Sequence, residues 1–259
     1  MQQTPFLNTQ QIQFFKENGY LIIHDIISET DVAQYRQMYD DFLSGKIDTG
    51  KNRSDLGAEL GNTQGTENIT QIMWPSDFVT AVTEMPYHQN ALQVAQALLG
   101  PDMEMDFDML INKAPHTNTP TPWHQDAAYW VALPDTRAVS CWLALDHATV
   151  DNGCMWYVPG SHLKDLRPHR FAGKAGGALQ CDATESEGIA IEIPPGACIL
   201  HDGKTLHYSR GNATGSQRRA FIINYRPAAM IQLEREQGFD HGRGGGAADR
   251  QIRNTGEAK

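Results

Sequence analysis

Met103-Glu-Met-Asp-Phe-Asp-Met-Leu-Ile-Asn-Lys113 is where the chain changes character. Before it, apolar residues recur at helical spacing. From it onward they fall into short strand-like runs. The pattern predicts strands over 103–113, 123–127, 138–146, 154–158, 188–193, 197–201 and 219–226. Turn residues separate them: Pro120, Asp151-Asn-Gly153, Pro159-Gly160, Pro194-Pro-Gly196 and Gly211-Asn212. Several strands with no helices between them indicate an antiparallel sandwich or barrel.

Upstream, Asn8 and Gln11 form a capping-box pattern, and Ile12, Phe14 and Phe15 give the helix that follows an apolar face. Gly19 suits a left-handed residue that ends it. Tyr20-Leu-Ile-Ile23 reads as a strand. Ser28 caps a second helix, with Val32, Tyr35, Met38, Tyr39 and Phe42 at helical spacing. Residues 44–70 are polar and Gly-rich and read as a long loop. A third helix is expected over 88–99, stopped by Gly100-Pro101. No internal repeat or second core appears. The expectation is one domain over 1–237, with helices in about the first hundred residues packed on the barrel, and a flexible Gly-rich tail over 238–259.

The 259 residues carry a formal net charge of −10, which argues against nucleic acid or an anionic membrane surface as partner. Cys141, Cys154, Cys181 and Cys198 have no CxxC spacing and read as buried free thiols in a reducing compartment. Met1-Gln-Gln-Thr-Pro-Phe lacks the basic and apolar regions of a secretory signal, and no apolar run approaches membrane-spanning length. A cytoplasmic protein with a small-molecule partner is expected; oligomeric state stays open.

The chemistry centres on Thr121-Pro-Trp-His-Gln-Asp-Ala-Ala-Tyr-Trp130, which holds the only His-x-Asp of the sequence. On an extended strand His124 and Asp126 project to the same side. His207 is the best third member. Two imidazoles and one carboxylate on one face leave three octahedral positions open, the arrangement of a non-haem Fe(II) oxygenase.

Ordered blocks surround these residues. Trp123-His-Gln-Asp126, Cys141-Trp-Leu-Ala-Leu-Asp146, Asp151-Asn-Gly-Cys-Met155, Pro159-Gly-Ser-His162, Gly196, His207-Tyr-Ser209, Asn212 and Arg218-Arg219 together resemble the phytanoyl-CoA dioxygenase family. The resemblance runs from about Gly19 to Arg226. It implies a mainly β fold with N-terminal helices around a double-stranded β-helix, the jelly-roll or cupin-like core. It implies Fe(II), 2-oxoglutarate and O₂, with release of succinate and CO₂ and hydroxylation of an aliphatic C–H. The family's metal ligands fall on His124, Asp126 and His207. Its 2-oxoglutarate arginine, eleven residues after the distal histidine, falls on Arg218. Ser209 matches a hydroxyl that contacts the same carboxylate, and Trp142 an aromatic beside the cosubstrate. Related halogenases replace the carboxylate with a small residue, so Asp126 points to hydroxylation.

Other positions carry less. Arg219 is expected on the opposite strand face. Asn112 or Lys113 could face the cosubstrate. His162 reads as structural. His201-Asp202 could rival the ligand set, but adjacent strand residues point opposite ways. Asn68, Gln71, Met73, Trp74, Tyr129 and Trp130 are expected to wall the substrate pocket. The family's substrates include acyl-CoA thioesters, amino acids and ectoine-like solutes; the lack of a basic cluster near these walls weighs against acyl-CoA. Two alternatives remain: a non-oxidative cupin-like metal enzyme, which would not need Arg218, and a non-catalytic small-molecule-binding protein on the same fold.

Overall fold

The structure, a computed structural model, describes residues 7–58, 60, 67–173 and 178–243. In order they form α1 (Thr9–Asn18), β1 (Tyr20–Ile23), α2 (Glu29–Leu43), β2 (Arg53–Asp55), β3 (Ile69–Met73), α3 (Pro75–Phe78), α4 (Pro86–Leu99), β4 (Met103–Lys113), β5 (Thr121–His124), β6 (Val139–Ala144), β7 (Met155–Tyr157), β8 (Arg170–Phe171), β9 (Leu179–Gln180), β10 (Ile189–Ile191), β11 (Cys198–Asp202), β12 (His207–Ser209), β13 (Arg218–Pro227) and α5 (Ala228–Glu236). Seven strands make a major sheet in the order β1-β11-β6-β13-β4-β3-β2, and four make a minor sheet, β10-β7-β12-β5. The pairings within both are antiparallel.

The two sheets face each other as a jelly roll. Trp142, Ala144, Ile199, Ala220 and Ile222 of the major sheet pack against Met155, Tyr157 and Ile191 of the minor sheet. The major sheet's other face is covered by α1, α2 and α4, where Phe15, Tyr35, Tyr39, Phe42 and Val94 meet Leu110, Leu143, Leu200, Phe221 and Ile223. β13 shows why both layers form. Its period-2 pattern sends Ala220 and Ile222 inward and Phe221 and Ile223 toward the helices, so the strand is apolar on both faces.

The helix starts follow local chemistry. Asn8 and Ser28 each cap their helix with a reciprocal box, to Gln11 and Asp31. Gly19 ends α1 at φ 78°. The helix expected over 88–99 is α4, and it begins at Pro86, a residue suited to the first turn.

The structure departs from the sequence expectations at several further points. The stretch read as a loop over 44–70 carries β2 and the start of β3. Asp55 makes this possible by accepting N–H groups from Gly57, Asn68 and Ile69, so a polar segment closes a hairpin without apolar periodicity. α5 was not anticipated. The strand expected over 123–127 ends at His124, because Asp126–Ala128 turns into a 3-10 helix whose Ala127 N–H donates to Gly203 O at 2.8 Å. Of the segment expected as a tail, 238–243 pack at the barrel mouth; 244–259 lie outside the described residues.

Gly211 sits where two loops touch: a Cβ there would lie 2.0 Å from the backbone carbon of Asn118. A carbonyl carbon cannot swing aside as a flexible side chain can. Gly211→Ala is therefore expected to destabilise the fold by about 1–3 kcal/mol, the usual range for overpacking, read as a lowered urea midpoint with unchanged slope.

Candidate metal centre and cosubstrate pocket

β5 and β12 are neighbours in the minor sheet, and their register sets His207 directly opposite His124. The two rings lie 4.1 Å apart, centroid to centroid. Gln125 keeps an extended backbone (φ −123°, ψ 127°), so Asp126 returns to the same side as His124 although the strand has ended. Asp126 Oδ1 stands 3.5 Å from His124 Nε2 and 3.6 Å from His207 Nε2. One ligand atom from each residue lies within 4.8 Å of the others.

The remaining atoms of these side chains are fixed. His124 Nδ1 donates to Pro122 O and His207 Nδ1 to Thr205 O, each at 2.8 Å and each two residues back. Donation through Nδ1 leaves the Nε2 lone pair facing the shared point, which is the tautomer a metal ligand needs. Asp126 Oδ2 accepts from Ser140 Oγ at 2.8 Å and meets His201 Nε2 at 3.2 Å. Burial alone would raise the Asp126 carboxyl, but His207 first, and then the nearby His124 and His201, hold it well below the carboxylate range. Burial, and next the His124 charge, push His207 well below its usual value, so its imidazole is neutral. A neutral His207 imidazole and an ionised Asp126 carboxylate, with His124 Nε2 turned to the same point, fit a divalent cation.

A cavity of about 410 Å³ opens from this point. Arg218, Ser209, Trp142, Thr121 and Met155 line it together with the ligand set. Arg218 is 1% exposed, yet its Nε and Nη1 have no hydrogen-bond partner among the described residues. Its guanidinium rests over Trp142 at 5.2 Å, and burial lowers its pKa to about 10. Buried, unpaired guanidinium donors are costly. They fit a ligand carboxylate, which accepts two parallel N–H bonds.

Other expectations sort clearly. Gln71, Met73, Tyr129 and Trp130 line the cavity; Asn68 and Trp74 do not. Asn68 is instead bonded to Asp55 and Thr119. The Trp74 indole N–H donates to Asp240 O, behind the wall. Asn112, expected at the cosubstrate, pairs in register with Arg219 on the outer face of the major sheet and donates to Gln217, because strand alternation turns it away from Arg218. Lys113 shares Arg218's register position, but its ammonium is held by the carbonyls of Thr119, Ser209 and Arg210. Arg219 is bonded by Asp146 and Asp40. His162 contacts Lys16 O, away from the site.

Sequence reasoning passed over Ser140 and Thr121 as site residues, and weighed His201 only as a rival ligand with Asp202. His201 does point into the cavity while Asp202 accepts the Lys204 N–H, as alternation requires. A second cluster, Asp106, Glu234 and His241, has metal-like spacing. Arg226 and Arg235 already pair with its carboxylates, so it reads as a charge network.

The family model for phytanoyl-CoA dioxygenase (PhyH) matches residues 15–220. A probable phytanoyl-CoA dioxygenase of Caenorhabditis elegans is 28% identical over 237 residues, covering 85% of this chain and 75% of that one. A phytanoyl-CoA dioxygenase domain-containing protein 1 of Bos taurus is 30% identical over 266 residues, covering 86% and 91%. The crystal structure of EvdO2 from Micromonospora carbonacea var. aurantiaca complexed with 2-oxoglutarate has a TM-score of 0.71 and 28% identity, covering 88% of this chain and 94% of that one. No helix among the described residues is long and apolar enough to cross a membrane.

His169 supports the ligand pair from outside. Its Nε2 accepts the Gln125 N–H at 3.1 Å and its Nδ1 donates to Arg167 O. Burial lowers its pKa from 6.5 to about 4. The unfolded chain therefore takes up a proton near pH 6.5 that the folded chain refuses until about pH 4. Stability from this group is full above pH 6.5 and is lost as pH falls toward 4. Urea midpoints measured across this window should fall less steeply for His169→Asn than for the parent chain.

Proposed function

The chain belongs to the phytanoyl-CoA dioxygenase family and is an Fe(II)- and 2-oxoglutarate-dependent dioxygenase, and from that premise we propose how its residues divide the work. His124, Asp126 and His207 would hold the iron. Arg218 and Ser209 take the distal carboxylate of 2-oxoglutarate, with Trp142 beside it. The primary substrate is a small molecule hydroxylated at an aliphatic C–H. Iron would supply activation of O₂, with one oxygen atom going to succinate as CO₂ leaves and the other to the substrate carbon.

The carrying observation is the pairing, in one cavity, of the two-histidine-one-carboxylate set with a buried arginine whose donors lack partners. A non-oxidative metal enzyme on the same barrel has no use for that arginine. The protein's own contribution is positional. Pro122 O and Thr205 O aim the two Nε2 atoms. Ser140 and His201 hold one carboxylate oxygen of Asp126 and leave the other facing the imidazoles. Trp142, Ile222 and Met155 keep the cosubstrate end dry, which strengthens the Arg218 interaction. All four cysteines are buried and free, which supports a reducing compartment such as the cytoplasm.

The test is succinate release from 2-oxoglutarate by anaerobically iron-loaded protein on admission of O₂. Asp126→Ala should abolish it. Arg218→Ala should raise the 2-oxoglutarate KM by about ten- to a hundredfold, the loss expected for charge-assisted bonds worth about 1.5–3 kcal/mol. Unchanged 2-oxoglutarate KM in Arg218→Ala would overturn the cosubstrate assignment.

A further inference from the structure

The family match ends at residue 220, yet Gly238, Phe239, Asp240, His241 and Gly242 line the same cavity as the metal set. This strap lies beyond the matched range and is fastened at several points. The buried His241 ring stacks on Phe107 at 4.1 Å, and its Nε2 lies 2.9 Å from Asp106 Oδ2 and 3.2 Å from Glu234 Oε2. Arg235 donates to Phe239 O, and the Trp74 indole donates to Asp240 O. Arg243 pairs with Asp77 through both carboxylate oxygens and rests over Trp74 at 4.5 Å. Trp74 itself holds a left-handed backbone (φ 58°), rare for a bulky residue and kept only where its surroundings over-determine it.

The wall that the strap completes has a definite chemistry. Met73, Met109, Phe107, Trp130 and Phe239 are its apolar part. Arg218 is the single Lys or Arg among the described residues lining the cavity, and the cosubstrate claims it. Arg226, Arg235 and Arg243 stand near the mouth but are turned onto Trp130, Trp74 and carboxylates. Asp240 adds a negative charge at the wall, its Oδ1 fixed by the Gly242 and Arg243 N–H groups. Among the described residues, His241 faces Asp106 and Glu234, so an anionic group entering here would lose hydration and meet no unpaired side-chain cation besides Arg218. A cavity of about 410 Å³ shared with the cosubstrate leaves room for a compact molecule only.

Resting on the cosubstrate reading above, we propose that the strap Gly238–Gly242 is the specificity-determining wall of the active site, and that it selects a compact, largely apolar substrate that is neutral or cationic and presents no anionic group to the cavity. His241 is the positioning residue that holds the wall in place.

The test uses four probes built on one alkyl chain: octanamide, octylamine, octanoate and octanoyl-CoA. Each is titrated anaerobically into full-length protein loaded with Fe(II) and 2-oxoglutarate, with tryptophan fluorescence as readout. The amide and the amine should bind about tenfold tighter than the carboxylate and the thioester. Asp240→Asn should remove the advantage of octylamine over octanamide. Octanoate or octanoyl-CoA binding as tightly as the other two, or no difference among the four, overturns the proposal. Substrate-free succinate release by the same preparation separates this failure from failure of the cosubstrate reading, since the ranking is read from binding alone.

Discussion

The antiparallel pairing of β5 with β12 is the constraint on which the site depends. It places His124 across from His207 and lets a single turn after β5 bring Asp126 to both. A slip of one residue would send one imidazole to the opposite face of the sheet. The pairing is reinforced beyond its own backbone bonds. The Gln125 side chain donates to Lys204 O and accepts from the Arg167 N–H, tying β5 to segments on either side of it. The stacked rings of Trp123 and Tyr208 clamp the same two strands on their outer face. Major-sheet residues finish the work, since Ser140 on β6 and His201 on β11 hold Asp126 from across the barrel.

Two buried cations sit on adjacent, paired strands, and they are treated differently. Lys113 is satisfied by three backbone carbonyls and spans from the approach to β5 to the exit of β12. Burial, and next the Arg218 charge, push its pKa well down, so the carbonyls oppose a real desolvation cost. Arg218 has no such partners for Nε and Nη1 among the described residues. One lysine thus braces the ligand strands, while the neighbouring arginine is left in want of an anion. The two cations differ in hydrogen-bond satisfaction, complete for one and incomplete for the other.

At the other end of the cavity, charge is balanced within the fold. Asp106 and Glu234, both fully buried, are met by Arg226, Arg235 and His241. Burial alone would raise Asp106, but His241 and the arginines hold it near 2. This network joins β4, β13, α5 and the strap, so the mouth of the barrel is shaped by residues far apart in sequence. A protein family can keep one metal set while varying such a mouth, because nothing in the network touches the ligands.

Much of this was legible in the chain itself. Short strand-like apolar runs identified β4 and β13, and side-chain caps at Asn8 and Ser28 identified the helix starts, because both signals are local. That His124, Asp126, His207 and Arg218 would meet in one cavity was legible because their spacing and block order are sequence properties. The hairpin of β2 with β3 was not, since its strands close on the polar Asp55 rather than on apolar alternation. The position of Asn112 was misread because a side chain's face depends on where the strand begins to count. Tertiary structure alone brought His201 and Ser140 onto Asp126 and folded His241 against Phe107, since these contacts join residues 75, 14 and more than a hundred positions apart. Sequence patterns record what each segment prefers, whereas contacts between distant segments are set by the register of the sheets that carry them.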